Sequence, residues 1–180
     1  MSSAYIHTSL VGGSAGSAFI DMVALVDGAH DGQLILDTKN PIRRIGIQHD
    51  KVVEGLQTWY QIKPEFQTGG NPLLAVAHGT YTTTSPTIVE LNANEIVLAV
   101  FGRAGYQTFY ERKLVNSLGF VIYDQSTLAV RVEGPFGNSD GSNDGESFNI
   151  SDPMAFGGYA QTSGPLALSG LSCYKGLAVE

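Results

Sequence analysis

The sequence carries little charge. Charged residues make up 15 % of its 180 positions, well below the usual quarter of a soluble domain. The surface must therefore be built largely from Ser, Thr, Asn, Gln and Gly, which suits neutral polar partners. Positive charge is scarcer still: 10 Lys and Arg stand against 17 Asp and Glu, a formal net charge of −7. A nucleic-acid binder needs a basic stripe to neutralise phosphates. The two cationic pairs here, Arg43-Arg44 and Arg112-Lys113, do not make one, and anionic membrane surfaces are disfavoured for the same reason. With a single cysteine, Cys173, no intrachain disulfide can form, and the residue reads as a small buried apolar side chain. No apolar run approaches the ~20 residues that cross a bilayer. The N-terminus, Met-Ser-Ser-Ala-Tyr-Ile-His, lacks the basic and apolar regions of an export signal. The expectation is a soluble protein, cytoplasmic or exported by a non-classical route, with no membrane insertion. Also missing is any convincing window of 3.6-residue apolar period, which argues against a helical chain.

What the sequence has is glycine, 22 residues of it, grouped as Gly12-Gly13, Gly69-Gly70 and Gly157-Gly158 and spread along the whole length. Between the glycines lie short stretches rich in β-branched and aromatic residues, such as 96–101, 118–123 and 128–132. Such stretches bounded by turn signals are strands. Prolines fall mostly in the gaps between them, where loops tolerate them. The length fits one domain over 1–180, with a core at about 11–176, since a chain of this size buries a sizeable core. The reading is an all-β protein of many short antiparallel strands closing a sandwich, barrel or prism.

A weak repeat sharpens that reading. Ile45 to Tyr60, Val97 to Tyr123 and Ala155 to Tyr174 share one grammar: a strand, a polar turn, Val/Leu-x-Gly/Ser-Leu, then a strand ending in Tyr. The shared cores are Val53-Glu54-Gly55-Leu56, Val115-Asn116-Ser117-Leu118 and Leu168-Ser169-Gly170-Leu171. Three-fold self-similarity of this kind implies three similar sheets around one core.

In order along the chain come Gly-Gly-Ser-Ala-Gly with Phe19 and Asp21 soon after, Ile-x-x-Ile-x-Ile before Val-x-Gly-Leu-Gln, and His78-Gly79 ahead of Ile88 to Ile96. Val-Asn-Ser-Leu-x-Phe follows, then Phe-Gly-Gly and Leu-Ser-Gly-Leu-Ser-Cys-Tyr. This layout resembles the jacalin-related lectins over about residues 11–176, and the acidic charge and small size look more like a fungal member than a plant one. The resemblance implies the β-prism I fold, three four-stranded antiparallel Greek-key sheets with pseudo-three-fold symmetry. It implies binding of mannose- or galactose-type sugars at one end of the prism, no catalysis and no cofactor. The partners it implies are glycans and glycoproteins, with homo-oligomerisation left open.

In that family one site pairs the N-terminal Gly-Gly loop with a C-terminal loop of pattern Gly-x-x-x-Asp-x-x-Gly. Its counterparts here are Gly12 and Gly13 with Ser163, Gly164, Pro165, Leu166 and Ser169. The family aspartate falls on Ser169, and the loop is one residue longer. A carboxylate can accept from two adjacent sugar hydroxyls while backbone N–H groups donate to the same oxygens. Serine lacks that double acceptor, so the first repeat is a rival: Asp50 with Glu54, facing His78 and Gly79. Asn116 holds the equivalent place in the second repeat. In galactose-preferring relatives a freed glycine ammonium meets the sugar. Gly12-Gly13 lie inside the chain, so the resemblance favours mannose or glucose.

Other features read as structural. His49 and His78 are spaced unlike zinc ligands, so no metal is expected. Asp140 to Gly145 fits half of a calcium loop but has Ser151 where the final glutamate belongs, and reads as a polar hairpin loop. Gly102-Arg103-Ala104-Gly105 reads as a hairpin turn and a candidate wall of a sugar site. Trp59 and Tyr60 read as buried strand residues. Two alternatives stay open: a β-prism interaction or defence module with decayed sugar sites, and a glycoside-active enzyme with two scattered carboxylates.

Overall fold

The structure is a computed structural model that describes residues 5–27, 31–80, 86–141, 145–162 and 167–176. Its strands are β1 (Tyr5–His7), β2 (Val11–Gly12), β3 (Ser17–Ile20), β4 (Val26–Asp27), β5 (Gln33–Leu34), β6 (Ile42–His49), β7 (Val53–Gln61) and β8 (Leu73–Gly79). They continue with β9 (Thr87–Glu90), β10 (Glu95–Gln107), β11 (Arg112–Asp124), β12 (Val130–Gly137), β13 (Glu146–Ser151), β14 (Ala155–Gln161) and β15 (Ala167–Gly176).

Each repeat read from the sequence is the inner hairpin of one antiparallel sheet. The first sheet runs β9-β6-β7-β8 and the second β13-β10-β11-β12. In both, the fourth strand returns to lie beside the first, the Greek-key order. The third sheet has the same layout with a different source: its hairpin β14–β15 is flanked by β3 on one side and by β1 and β2 on the other. The start of the chain thus closes the sheet that the end of the chain opens. β1 and β2 share one edge, pairing with 174–176 and 170–171 of β15 in turn, so the sheet has four strand positions.

One apolar core joins the three sheets. Ile45, Leu56 and Tyr60 enter it from the first, Val100, Leu118 and Phe120 from the second, and Phe156, Leu168 and Leu171 from the third. All nine are essentially fully buried, and each such side chain contributes about 1.5–3 kcal/mol of transfer free energy. Cys173 lies among them, and burial pushes its thiol up to about 12, which leaves it inert as a nucleophile.

Against this core sits a buried carboxylate. Asp21, 1 % exposed, accepts from the Tyr60 hydroxyl at 2.5 Å and meets the His78 imidazole Nε2 at 2.5 Å. The Tyr60 oxygen in turn accepts from the Phe156 amide at 3.1 Å, and Phe19 stacks on His78 with ring centroids 3.7 Å apart. Buried polar groups must be hydrogen-bonded. This cluster satisfies its members while tying the N-terminal segment to the first and third sheets.

Four sequence expectations change. Residues Asp21–Ala24 form one helical turn where only strands were expected. Gly102 to Gly105 lie inside β10, and the turn is at 108–111. The glycine is there because a Cβ on Gly102 would sit 2.0 Å from the Ser117 carbonyl oxygen, so the need is close approach between strands and not a reversal. Pro135 lies within β12, an edge strand, where a missing N–H costs no ladder bond. Trp59 is half-buried, with Arg44 over its ring at 5.2 Å, while Tyr60 is buried as expected.

Candidate functional site

The three inner hairpins carry the same irregularity at the same place. In the first, Gln48 pairs with Gly55 and His49 with Val53, so Glu54 is the unpaired residue of a β-bulge. In the second, Arg103 pairs with Ser117 and Ala104 with Val115, which leaves out Asn116. In the third, Tyr159 pairs with Gly170 and Ala160 with Leu168, which leaves out Ser169. Bulges re-aim a side chain and end regular pairing, and they gather beside functional sites.

Opposite each bulge stands a glycine with positive φ: Gly79 at 73°, Gly137 at 92° and Gly12 at 85°. A Cβ on any of them would meet the carbonyl oxygen of the bulged residue, 2.5 Å from Glu54 O, 2.4 Å from Asn116 O and 2.4 Å from Ser169 O. Only glycine fits such a contact. The next amide then bonds the same carbonyl in two repeats: Thr80 N–H to Glu54 O at 3.0 Å and Gly13 N–H to Ser169 O at 2.7 Å. In the second repeat the pattern breaks. There Asn138 N–H turns to Lys51 O at 3.1 Å, and Gly137 N–H donates to His49 Nδ1 at 3.2 Å.

The three bulges lie at one end of the prism. Val52, Leu114 and Ala167, one from each hairpin, form a small buried cluster there with Tyr110 packed against it. The three side chains are not equivalent in access. Ser169 and Asn116 are both 0 % exposed, and neither the Ser169 Oγ nor the Asn116 carboxamide has a hydrogen-bond partner among the described residues. Glu54 is half-buried. Desolvation raises its pKa, and the neighbouring Asp50 carboxylate adds to the shift. No side chain among the described residues hydrogen-bonds it. Tyr110 lies close enough that Glu54 and Asp50 add to the upward shift that burial gives its phenol.

Two of the expected residues are committed elsewhere. His78 turns its ring inward to Asp21, because the carboxylate buried there needs a second partner, and Gly79 alone remains at the bulge. Asp50 accepts from Ser139 Oγ at 2.7 Å, and its carbonyl accepts from the Ser139 amide at 3.1 Å, which ties the first-repeat turn to the loop after β12. Ser163, Gly164, Pro165 and Leu166 lie outside the described residues. His49 and His78 do not meet: His49 Nε2 bonds Thr87 Oγ1 at 2.9 Å. No group of three metal-ligating side chains occurs among the described residues.

The sequence did not point to several residues that the fold brings in. Gly13 lines a cavity of about 370 Å³ with Ser14, Ala15, Arg112 and Lys113, and Arg112 sits 5.6 Å over the Tyr110 ring. Arg112 and Lys113 come from the long hairpin β10–β11, which reaches the N-terminal loop only in three dimensions. Gly137 takes in the second repeat the place that Gly79 takes in the first. In the first two repeats the bulge-facing glycine ends the strand after the hairpin, whereas in the third it is supplied by the start of the chain.

No family model matches the sequence, and no curated protein matches it. Solved structures do. A mannose-specific jacalin-related lectin from Morus nigra in complex with mannose superposes with a TM-score of 0.68 at 19 % identity, over 98 % of this chain and 97 % of that one. A mannose-binding jacalin-related lectin from Ananas comosus gives 0.63 at 21 % identity, over 94 % and 96 %. The artocarpin–mannotriose complex gives 0.66 at 20 %, over 96 % and 97 %. The chain therefore has the fold of the jacalin-related lectins, the β-prism. These neighbours do not support the fungal affinity read from the sequence.

Proposed function

We propose that the chain is a carbohydrate-binding lectin that takes mannose- or glucose-type residues of glycans and glycoproteins at the bulged end of the prism, without catalysis, cofactor or metal. The observation that carries this reading is Glu54, a half-buried carboxylate that no described side chain hydrogen-bonds, on a bulge backed by the positive-φ Gly79. A pyranose offers adjacent hydroxyls, and a partly desolvated carboxylate accepts from two of them with charge-assisted bonds. The Morus nigra and artocarpin structures hold mannose and mannotriose on this fold. Gly12, Gly13 and Ser169, with the loop Ser163 to Leu166, form a second site in this reading, and Arg112 and Lys113 wall it. The Ser169 and Asn116 side chains are both wholly buried, so in this reading the second site offers the sugar the backbone amides of its glycine loop.

Mannose and glucose share an equatorial 4-hydroxyl that lies along the ring plane and meets a shallow loop. Galactose turns it axial and leaves a polar group unpaired, at about 1–3 kcal/mol. A glycan array followed by inhibition of red-cell agglutination tests the reading: methyl α-mannoside should inhibit and galactose should not. Inhibition by galactose alone would overturn the sugar class, and turnover of a bound glycan would overturn the absence of catalysis. The burial of Ser169 and Asn116 favours a second reading, a β-prism module whose sites have decayed. An array with no binding to any glycan would establish it over the first.

A further inference from the structure

We propose a separate sugar-binding site on the outer face of the second sheet, in which Phe101 is the platform for a neutral pyranose ring. A cavity of about 520 Å³ opens on this face, lined by Phe101, Arg103, Ser117, Ser147 and Asn138 among others. The volume falls in the range of small-molecule sites. It shares no lining residue with the cavity at Gly13, and it reaches the bulged end only at its edge, through Gly137 and Asn138.

The pairing of the strands explains why the ring is available. Phe101 pairs with Gly119 across β10 and β11 and with Asn149 across β10 and β13. Cross-strand partners share a face of the sheet. Gly119 has no side chain, so the distal half of the phenyl ring lies over it: the ring carbons Cζ, Cε1 and Cε2 are 2.4, 2.8 and 2.8 Å from where a Cβ would stand. The next row of the same face holds Arg103, Ser117, Ser147 and Gly137, paired in register. An aromatic ring is thus set beside one row of hydroxyl and guanidinium groups. An aromatic face carries negative potential that attracts polarised C–H bonds, and a pyranose has one face of such bonds and a rim of hydroxyls. The exposed Ser147 hydroxyl donates and accepts, and the exposed Arg103 donates from a fixed fork, so the rim finds both kinds of partner, with Ser117 buried at the floor. Arg103 is held in place by donating to Gly145 O at 3.1 Å, which uses one of its donors. Among the described residues no carboxylate lines this cavity, which disfavours a cation, and the ring with its neighbouring hydroxyls suits a neutral sugar residue.

The inference rests on the lectin reading for its ligand class and is separable from it by residue. Methyl α-mannoside is titrated to about 50 mM, above a roughly millimolar Kd, into the labelled full chain, and amide shifts are followed by NMR. Saturable shifts at Ser117, Gly119 and Ser147 are expected in addition to those near Glu54 and Gly79. Phe101→Ala should abolish the first group and keep the second. Arg103→Ala, which leaves the ring and the glycine in place, should weaken the sheet-face site at least several-fold. Shifts near Gly79 with none on the sheet face would overturn the inference and leave the lectin reading intact. Shifts nowhere would overturn both. Sheet-face binding that survives Phe101→Ala would also overturn it, because the ring would then serve only to cover Gly119.

Discussion

Replacing the three bulge-facing glycines by alanine, one at a time, tests the site repeat by repeat. Each has a φ that costs an L-residue about 1–2 kcal/mol. Each also places its Cβ 2.4–2.5 Å from a carbonyl oxygen, far inside the ~3.5 Å of ordinary contact. Relief requires the bulged residue to move by about 1 Å, an overpacking cost of about 1–3 kcal/mol. The sum, about 2–5 kcal/mol, is a large fraction of a domain's usual stability and is spent locally. In Gly79→Ala it displaces Glu54, whose carbonyl the new methyl strikes, and misaligned hydrogen bonds to sugar should lower affinity roughly five- to a hundred-fold. Gly12→Ala should do the same at the Ser169 bulge and leave the first repeat intact. Gly137→Ala, at the buried Asn116, should destabilise by a similar amount with no loss of end-site binding. Calorimetric stoichiometry with methyl α-mannoside, beside urea midpoints for each variant, reads all three. If Gly79→Ala and Gly12→Ala both keep wild-type affinity and stoichiometry while showing the loss of stability, the bulges are structural and the sites lie elsewhere.

Three further outcomes follow from single groups. Glu54→Ala should weaken mannoside binding about tenfold or more, since a charge-assisted hydrogen bond contributes about 1.5–3 kcal/mol. In the wild type that affinity should fall with acid at a pH above the ordinary carboxylate range, because burial and then Asp50 raise the Glu54 pKa; calorimetry at stepped pH checks both. His49 is held below the ordinary imidazole value of about 6.5 by desolvation, against a smaller opposing effect of Asp50, so the unfolded chain binds the proton first and the stability it contributes is present above about 6.5 and lost as pH falls below it. His49→Gln should flatten that part of the urea-midpoint profile, and an unchanged slope between about pH 7 and 5 would reject the assignment. Tyr60→Phe removes the donor to Asp21 and orphans the buried Phe156 amide, a combined cost of about 2.5–6 kcal/mol; a loss under about 1 kcal/mol by chemical denaturation would mean that water replaces the hydroxyl.

The sequence by itself determined the sheets. Spaced glycines, β-branched runs and the thrice-repeated Val/Leu-x-Gly/Ser-Leu set the three inner hairpins, because strand formation and turns are written in local composition. It also located the bulged trio, Glu54, Asn116 and Ser169, since equivalent places in a repeat carry equivalent backbone geometry. What it could not determine was access. Local pattern does not say that Ser169 and Asn116 are sealed inside while Glu54 is left partly open, nor that Asp21 draws His78 inward and Ser139 engages Asp50. Those outcomes depend on groups far apart in the chain competing for the same partner in a low-dielectric interior. Only closure of the third sheet by the chain's own start brings Gly12 to Ser169 and Gly13 against Lys113. Only the register in which β10 pairs with β11 lays Phe101 over Gly119.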